Sequence, residues 1–495
     1  MHHKFLHKLG VASLCTVLCV ANLFTHAKTV YADTDYQAEA EARKSLPIQS
    51  NAIENWPQGP EIGAEGAILM EANTGTILYA KNIDEKLYPA STTKILTALV
   101  AIENASLDET VSFSNDAVFS IEKGSSNMGM DVGQSITMEQ CLYGILVYSA
   151  NEVCNAVGEH IAGSMDNYVA MMNQKAAELG CTNSHFVTTN GLHDENHYTT
   201  PRDLATIACA FFSNETLSKM AGTNYYHIAP TDTQPDDIDL WTHNSLTAGT
   251  YQYEGYIGGK TGFTSDSRQT LVSCAERDGI KLICVIMREE SPNQFLDTIA
   301  LFDYGFNNFQ KINISENETN YSVNNSDLFN TDSDIFFSND PIVEIDSNDC
   351  VIIPKTVTFA DLTSSLSYET SAADPDSSSM LAKINYQYHG ADVGSASITL
   401  TAVQAPSQTG SEETGPASIS DSELPEESQT GGKVIFINIL KVIGIILLVL
   451  ILIIAAIFTI AFCRNYNFAR RRRSRISRKR RRRNNTFRDD RFDFR

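Results

Sequence analysis

Three short stretches carry side chains suited to nucleophilic chemistry: Ser91-Thr92-Thr93-Lys94, Ser149-Ala150-Asn151 and Lys260-Thr261-Gly262. In the first, hydroxyl and amine lie three residues apart, so one helical face would present both. A serine at a helix start has unpaired backbone N–H groups and a positive dipole end beside it. A lysine buried near other cations loses basicity and can accept a proton. Taken alone, Ser-x-x-Lys recurs by chance, and Ser91 as a plain helix cap with a solvated Lys94 is the preferred explanation. In the second stretch the hydroxyl can relay a proton and the carboxamide suits a peptide carbonyl, although an ordinary capping residue reads the same way. In the third, Lys260 and Thr261 suit a carboxylate and Gly262 admits close backbone approach. The N–H of Phe263 can donate to an oxyanion, and a turn before a strand is the plain alternative.

Each stretch needs an element to aim it. Pro89-Ala90-Ser91 precedes the apolar-periodic run Ile95, Leu96, Leu99 and Ile102, which predicts a buried helix. Thr137-x-x-Gln140 is a capping box opening a helix through Tyr148, and a further helix covers about Val153–Ala162, so Ser149-Ala150-Asn151 falls in the loop between them. Thr200 and Pro201 open another helix running through Phe212. Around these, Ala67–Ala72 and Thr76–Lys81 flank a Gly75 turn and read as a hairpin. Gln269–Ala275 and Lys281–Met287 are joined by Asp278-Gly279, which favours a type I′ turn pairing Glu276 with Lys281 and Ser273 with Cys284. Asn293–Gly305 reads as a closing helix. The expected fold class is α/β of the α+β type: an antiparallel sheet built from both chain ends and packed on a helical lobe.

The order of the triplets, each on the element its role needs, is far more specific than any one alone. The set resembles the serine penicillin-binding proteins and β-lactamases, which share Ser-x-x-Lys, Ser-x-Asn and Lys-Thr-Gly motifs. Tyr88–Lys94, Asn190–Asp194 with His197–Ala205, and Gly259–Thr264 look like the low-molecular-weight D-alanyl-D-alanine carboxypeptidases, over roughly Glu61–Phe309. That resemblance implies a β-lactamase/transpeptidase-like catalytic domain, then often a small β-rich domain and a C-terminal membrane attachment. It implies that Ser91 attacks the carbonyl between two terminal D-alanines, Lys94 takes its proton and Ser149 relays it to the leaving D-alanine. Asn151 would orient the peptide, Lys260 with Thr261 would hold the terminal carboxylate, and the N–H groups of Ser91 and Phe263, beside Gly262, would form the oxyanion hole. Peptidoglycan stem peptides are the implied substrate and β-lactams the implied acylating inhibitors, with no metal and no organic cofactor. The chain departs from the pattern at Ala150, where Gly is usual, at Ser265-Asp266-Ser267-Arg268, and at Gln294, near where many relatives carry Arg.

Two other functions compete. A β-lactamase shares the triplets, but no Glu-x-x-Leu-Asn segment lies between Asn151 and Lys260. A non-catalytic wall receptor or scaffold is disfavoured by all three triplets being intact. His193 and His197 stand four apart but in a loop-like context, with Asp194 rather than Glu between them, so a zinc site is not expected.

The composition supports an exported protein. The chain has 495 residues and net charge −23. From Arg464 onward there are 15 basic and 3 acidic residues, leaving −35 on the rest. An acidic body with a basic tail is not a nucleic-acid-binding core. Lys4 and Lys8 precede the apolar run Leu9–Phe24, and Val30-Tyr31-Ala32 offers a cleavage site, so residues 1–32 read as a signal peptide. Val442–Cys463 is uncharged and flanked by the arginine clusters, which predicts one membrane span with a cytoplasmic tail and an extracytoplasmic catalytic domain at the bacterial cell membrane. The expected divisions are a linker at 33–60, a catalytic domain at 61–311, a small β-rich domain at 312–403, a Ser/Glu/Pro stalk at 404–432, a membrane segment at 433–463 and a tail at 464–495. Seven scattered cysteines in the exported part read as buried small hydrophobes rather than a disulfide framework.

Overall fold

The computed structural model describes residues 35–319, 343–368 and 380–400. The expected signal peptide, stalk, membrane span and tail lie outside these residues. Among the described residues no helix is long and apolar enough to cross a membrane. The chain opens with helix α1 (Tyr36–Arg43) and a short 3-10 turn at Gln49–Ala52, followed by strands β1 (Gly66–Glu71) and β2 (Ile77–Lys81). The helical lobe follows, with α2 (Lys94–Asn104), β3 (Thr110–Ser112), α3 (Asn115–Phe119), β4 (Ser135–Thr137), α4 (Met138–Tyr143), α5 (Asn151–Ala162), α6 (Met165–Glu178), α7 (Pro201–Ser213) and α8 (Glu215–Ala221). The ribbon β5 (Tyr225–Ile228) and β6 (Ile238–Trp241) leads to the long strands β7 (Tyr256–Thr264), β8 (Arg268–Arg277) and β9 (Ile280–Glu289), and then to α9 (Asn293–Asn308).

The central sheet has the order β2-β1-β9-β8-β7, so strands from both chain ends meet at β1 and β9. The β8–β9 register pairs Glu276 with Lys281 and Ser273 with Cys284, as the Asp-Gly turn requires. Asp278 and Gly279 both adopt positive φ there. One face carries the helical lobe, where Ile95, Leu96, Leu99 and Val100 of α2 are buried. Burying each such aliphatic side chain contributes on the order of 1.5–3 kcal/mol. The other face packs on α9 through Leu301 and Phe302. All seven cysteines among the described residues are free.

Two regions differ from the sequence reading. Residues expected to form a linker before Pro60 are folded: Trp56 is buried and its indole N–H donates to the Leu78 carbonyl at 2.9 Å. Beyond α9, strand β10 (Phe309–Asn313) pairs with β12 (Cys350–Pro354) in a second sheet that also holds β11 (Val343–Ile345), β13 (Thr363–Ser367), β14 (Met380–Tyr388) and β15 (Ala391–Leu400). Phe309 thus belongs at once to the second sheet and to a core shared with Trp56 and Tyr304. The described residues of both sheets belong to one compact unit.

Candidate active site

Ser91 sits in a 3-10 turn, Ala90–Thr93, whose last hydrogen bonds feed directly into α2. Ala90 adopts φ 50°, an unfavourable value for a residue with a Cβ, so the turn is sharply bent just before the hydroxyl. Two glycines make room for it. A Cβ on Gly191, itself at φ +84°, would lie 1.9 Å from the Ala90 carbonyl oxygen. A Cβ on Gly262 would lie 2.3 Å from Thr270 Oγ1 and 2.9 Å from the Ser91 nitrogen. The Thr270 hydroxyl, on β8, donates to the Pro89 carbonyl at 2.9 Å, which ties the turn to the sheet.

Lys94, in the first turn of α2, is wholly buried. Its Nζ lies 2.7 Å from Asn151 Oδ1, 2.6 Å from the Asn190 carbonyl oxygen and 3.0 Å from Ser91 Oγ. Two of these partners can only accept hydrogen bonds, whereas the serine hydroxyl can also donate. An ammonium can donate to all three; a neutral amine, with two N–H bonds and one lone pair, donates to the two carbonyl oxygens and turns its lone pair to the Ser91 hydroxyl. Burial pushes the Lys94 amine below its ordinary value, against the opposing pull of Cys154 and Glu152.

Ser149 ends a π-helical turn, Gly144–Tyr148, in the left-handed conformation at φ 68°. The helix expected to run through Tyr148 is therefore α-helical only to Tyr143, and the wider turn delivers Ser149 to the cleft. Asn151 starts α5, and its N–H donates to the Ser126 carbonyl at 2.9 Å. Lys260, on edge strand β7, places Nζ 3.1 Å from Ser149 Oγ and 2.8 Å from the Thr261 carbonyl oxygen. Burial, and then the charge of Lys94, push the Lys260 amine well below its ordinary value. Thr261, Gly262 and Phe263 line the same cleft, of about 500 Å³, together with Ser91, Ser149 and Asn151. Lys94 and Lys260 stand at its floor through these contacts. All eight residues singled out from sequence thus meet around one cleft. A larger cavity of about 630 Å³ near the β1–β2 hairpin, lined by Met70, Arg202 and Cys209, contains none of them.

The arrangement can move a proton from Ser91 to a buried neutral amine, and a second hydroxyl–lysine pair stands beside it for the return. The sequence reading gave no role to three further contributors. The Asn190 carbonyl holds Lys94, and Gly191 admits the Ala90 turn. Glu152 accepts from the Met128 and Gly129 N–H groups at 2.7 and 3.2 Å, holding the loop that carries Ser126. The Asn190-Gly191 turn signal was readable, but its long-range target was not. His197 is buried as a neutral ring: Nδ1 accepts from the Val187 N–H at 3.0 Å, and Nε2 meets Thr93 Oγ1 at 2.8 Å. Among the described residues no cluster of His, Cys, Asp and Glu is arranged to hold a metal.

Comparison with known proteins aligns residues 53–291 with the D-alanyl-D-alanine carboxypeptidase family. Over 295 residues the chain is 30% identical to the D-alanyl-D-alanine carboxypeptidase DacB2 of Mycobacterium tuberculosis, covering 58% of this chain and 93% of the relative. Over 252 residues it is 31% identical to DacF of Bacillus subtilis, covering 50% of this chain and 63% of that relative. The fold is like that of penicillin binding protein 5 from Haemophilus influenzae, with TM-score 0.54 and 24% identity over 70% of this chain and 98% of the other.

Proposed function

From the premise that the chain belongs to the D-alanyl-D-alanine carboxypeptidase family, we propose that its cleft removes the terminal D-alanine from peptidoglycan pentapeptide stems through a Ser91 acyl-enzyme. The observation that carries this reading is the contact set of Lys94, two carbonyl oxygens and the Ser91 hydroxyl, which suits a neutral amine poised as base. Ser91 Oγ attacks the penultimate D-alanine carbonyl while its proton passes to Lys94 Nζ. The Ser91 and Phe263 N–H groups hold the oxyanion. The C–N bond then breaks, the leaving amine takes a proton through Ser149, and an ester remains on Ser91. Water, deprotonated by the same Lys94–Ser149–Lys260 network, attacks that ester and returns the proton to Ser91. Asn151 orients the peptide, and Thr261 and Lys260 face its terminal residue.

β-Lactams would acylate the same serine. The chain would work outside the bacterial cell membrane, anchored by Val442–Cys463 with the arginine-rich tail inside, and trimming would remove the donor bond for cross-linking. The uncharged run and its arginine flank support this topology.

The test follows release of D-alanine from a pentapeptide stem, and the lifetime of a penicilloyl adduct, on the full chain. D-Alanine release with a long-lived adduct is expected. Rapid penicillin turnover would point to a β-lactamase, and neither release nor adduct would leave a non-catalytic wall receptor.

A further inference from the structure

The turn Ser265-Asp266-Ser267-Arg268, one of the chain's departures from its family's pattern, joins β7 to β8. Its inside is tied by Ser267. The Thr264 N–H donates to Ser267 Oγ at 2.9 Å, and the Ser267 N–H donates to Thr264 Oγ1 at 3.0 Å. Arg268 leaves the turn at φ 51°, a left-handed value unfavourable for a residue with a Cβ. Its guanidinium is firmly held there. Nε and Nη2 each donate to a different oxygen of Glu290 at 2.7 Å, a bidentate, charge-assisted pair. The Tyr36 ring of α1 covers the guanidinium at 3.7 Å, and the Phe263 ring lies 5.5 Å from it. Glu290 is buried, so solvent and salt screen the pair little.

This pair stands one residue behind the cleft on two elements. Gln269 follows Arg268 and Ser291 follows Glu290, and both line the cleft with Phe263 and Thr264. Strand β7 lies at the sheet edge and pairs only with β8 among the described strands. The sheet therefore restrains Phe263 from one side alone, close to the turn that Arg268 closes. Resting on the reading in which Ser91 is acylated and the Phe263 N–H holds the oxyanion, we infer that Arg268 is a positioning residue for this reaction. Its pair with Glu290 fixes the β7–β8 turn against the segment that opens α9. The adjacent Phe263 ring carries that restraint to the N–H beside it. Arg268 itself touches no reacting atom.

The test is a double-mutant cycle on the full chain, with Arg268→Ala, Glu290→Gln, the two together, and Arg268→Lys. Stopped-flow kinetics with a fluorescent penicillin separate its dissociation constant from the acylation rate constant. In Arg268→Ala the rate constant should fall at least about tenfold while the dissociation constant moves less than about threefold. Glu290→Gln should lower the rate at least about threefold and add nothing to Arg268→Ala, because the two side chains act as one unit. Arg268→Lys, which lacks the bidentate fork, should stay at least about threefold below the unaltered chain. Hydrogen exchange of the peptide spanning β7 and the turn reads the same restraint without chemistry, and should quicken in Arg268→Ala. An acylation rate within about threefold of the unaltered chain in folded Arg268→Ala overturns the inference. So do losses that multiply in the double variant, a loss confined to the dissociation constant, or unchanged exchange. If Arg268→Ala does not fold, Arg268→Lys decides by the same rate and exchange criteria. An unaltered chain that takes no penicillin sinks the acyl-enzyme reading alone, and hydrogen exchange then decides whether Arg268 fixes β7.

Discussion

Two buried lysines, Lys94 in the cleft and Lys81 beneath the N-terminal helix, are equally hidden from solvent and differently partnered. Lys81 Nζ meets the Arg43 and Ile62 carbonyl oxygens at 2.8 and 2.7 Å. Glu289 and Asp297 stand near enough to oppose its loss of charge, so burial lowers the amine only to about 8 and it remains a cation at neutral pH. Those two carboxyls are themselves raised by burial in each other's company. Lys94 has the Ser91 hydroxyl as a third partner beside its two carbonyl oxygens, and no carboxylate among the described residues hydrogen-bonds to it; Lys260, a second buried amine, is itself lowered by burial and by Lys94. Burial alone therefore does not make a base. The partner list decides whether the proton stays on nitrogen as a structural tie or leaves to make a lone pair available.

Lys94→Met and Lys81→Met would break that comparison most sharply. Lys94→Met should lower penicillin acylation by about a thousandfold or more while the chain still folds. Lys81→Met should keep kcat/KM and lose about 3 kcal/mol of stability, because the Arg43 and Ile62 carbonyl oxygens lose their shared buried donor. Denaturant unfolding beside acylation kinetics separates the two outcomes. If both variants lost activity and stability alike, the distinction between the two lysines would collapse.

Gly191→Ala comes next. The new methyl meets the Ala90 carbonyl and must adopt φ +84°, so the Ser91 turn shifts. We expect acylation to fall about a hundredfold with a stability loss of about 2 kcal/mol. A fall in stability without loss of acylation would show that the turn tolerates the shift.

The cleft side also carries a pH signature of its own. Burial lowers His197 from its ordinary value to about 3 in the folded chain. The unfolded chain therefore takes up a proton near pH 6.5 that the folded chain refuses. The His197 contribution to stability rises with pH between about 3 and 6.5 and is lost as pH falls through that window, by about 3 kcal/mol between pH 7 and pH 4, while Glu289, with its carboxyl raised, contributes in the opposite sense. Chemical denaturation of the chain and of His197→Gln at the two pH values checks this: the pH 7 minus pH 4 stability difference should be about 3 kcal/mol smaller in the variant.

The smallest effect serves as a control. Thr137 accepts from the Gln140 N–H at 3.2 Å, and the Gln140 side chain returns the bond at 2.9 Å. Thr137→Ala should cost about 1 kcal/mol in thermal unfolding and leave acylation unchanged.

Local signals made much of this legible. The Thr137 capping box, the Pro201 helix start and the Asp278-Gly279 register are set by neighbours in sequence, and the three triplets fall on the elements their spacing suggests. What sequence concealed depends on distant partners. Helix α1 buries only Ala40, so its polar sequence gave no periodic stripe to read. The left-handed turn at Ser149 and the close approach of Gly191 to Ala90 are set by packing between separate elements. Phe309 looked like the end of the catalytic domain because its pairing with Pro354 lies across a long intervening segment.

The most direct test of the central claim is to locate the acyl group. The full chain would be treated with a penicillin, digested and mapped by mass spectrometry, beside Ser91→Ala. We predict one adduct, on the peptide bearing Ser91, absent from the variant. An adduct on Ser149 or elsewhere, or one that survives in Ser91→Ala, would contradict the assignment of Ser91 as the nucleophile.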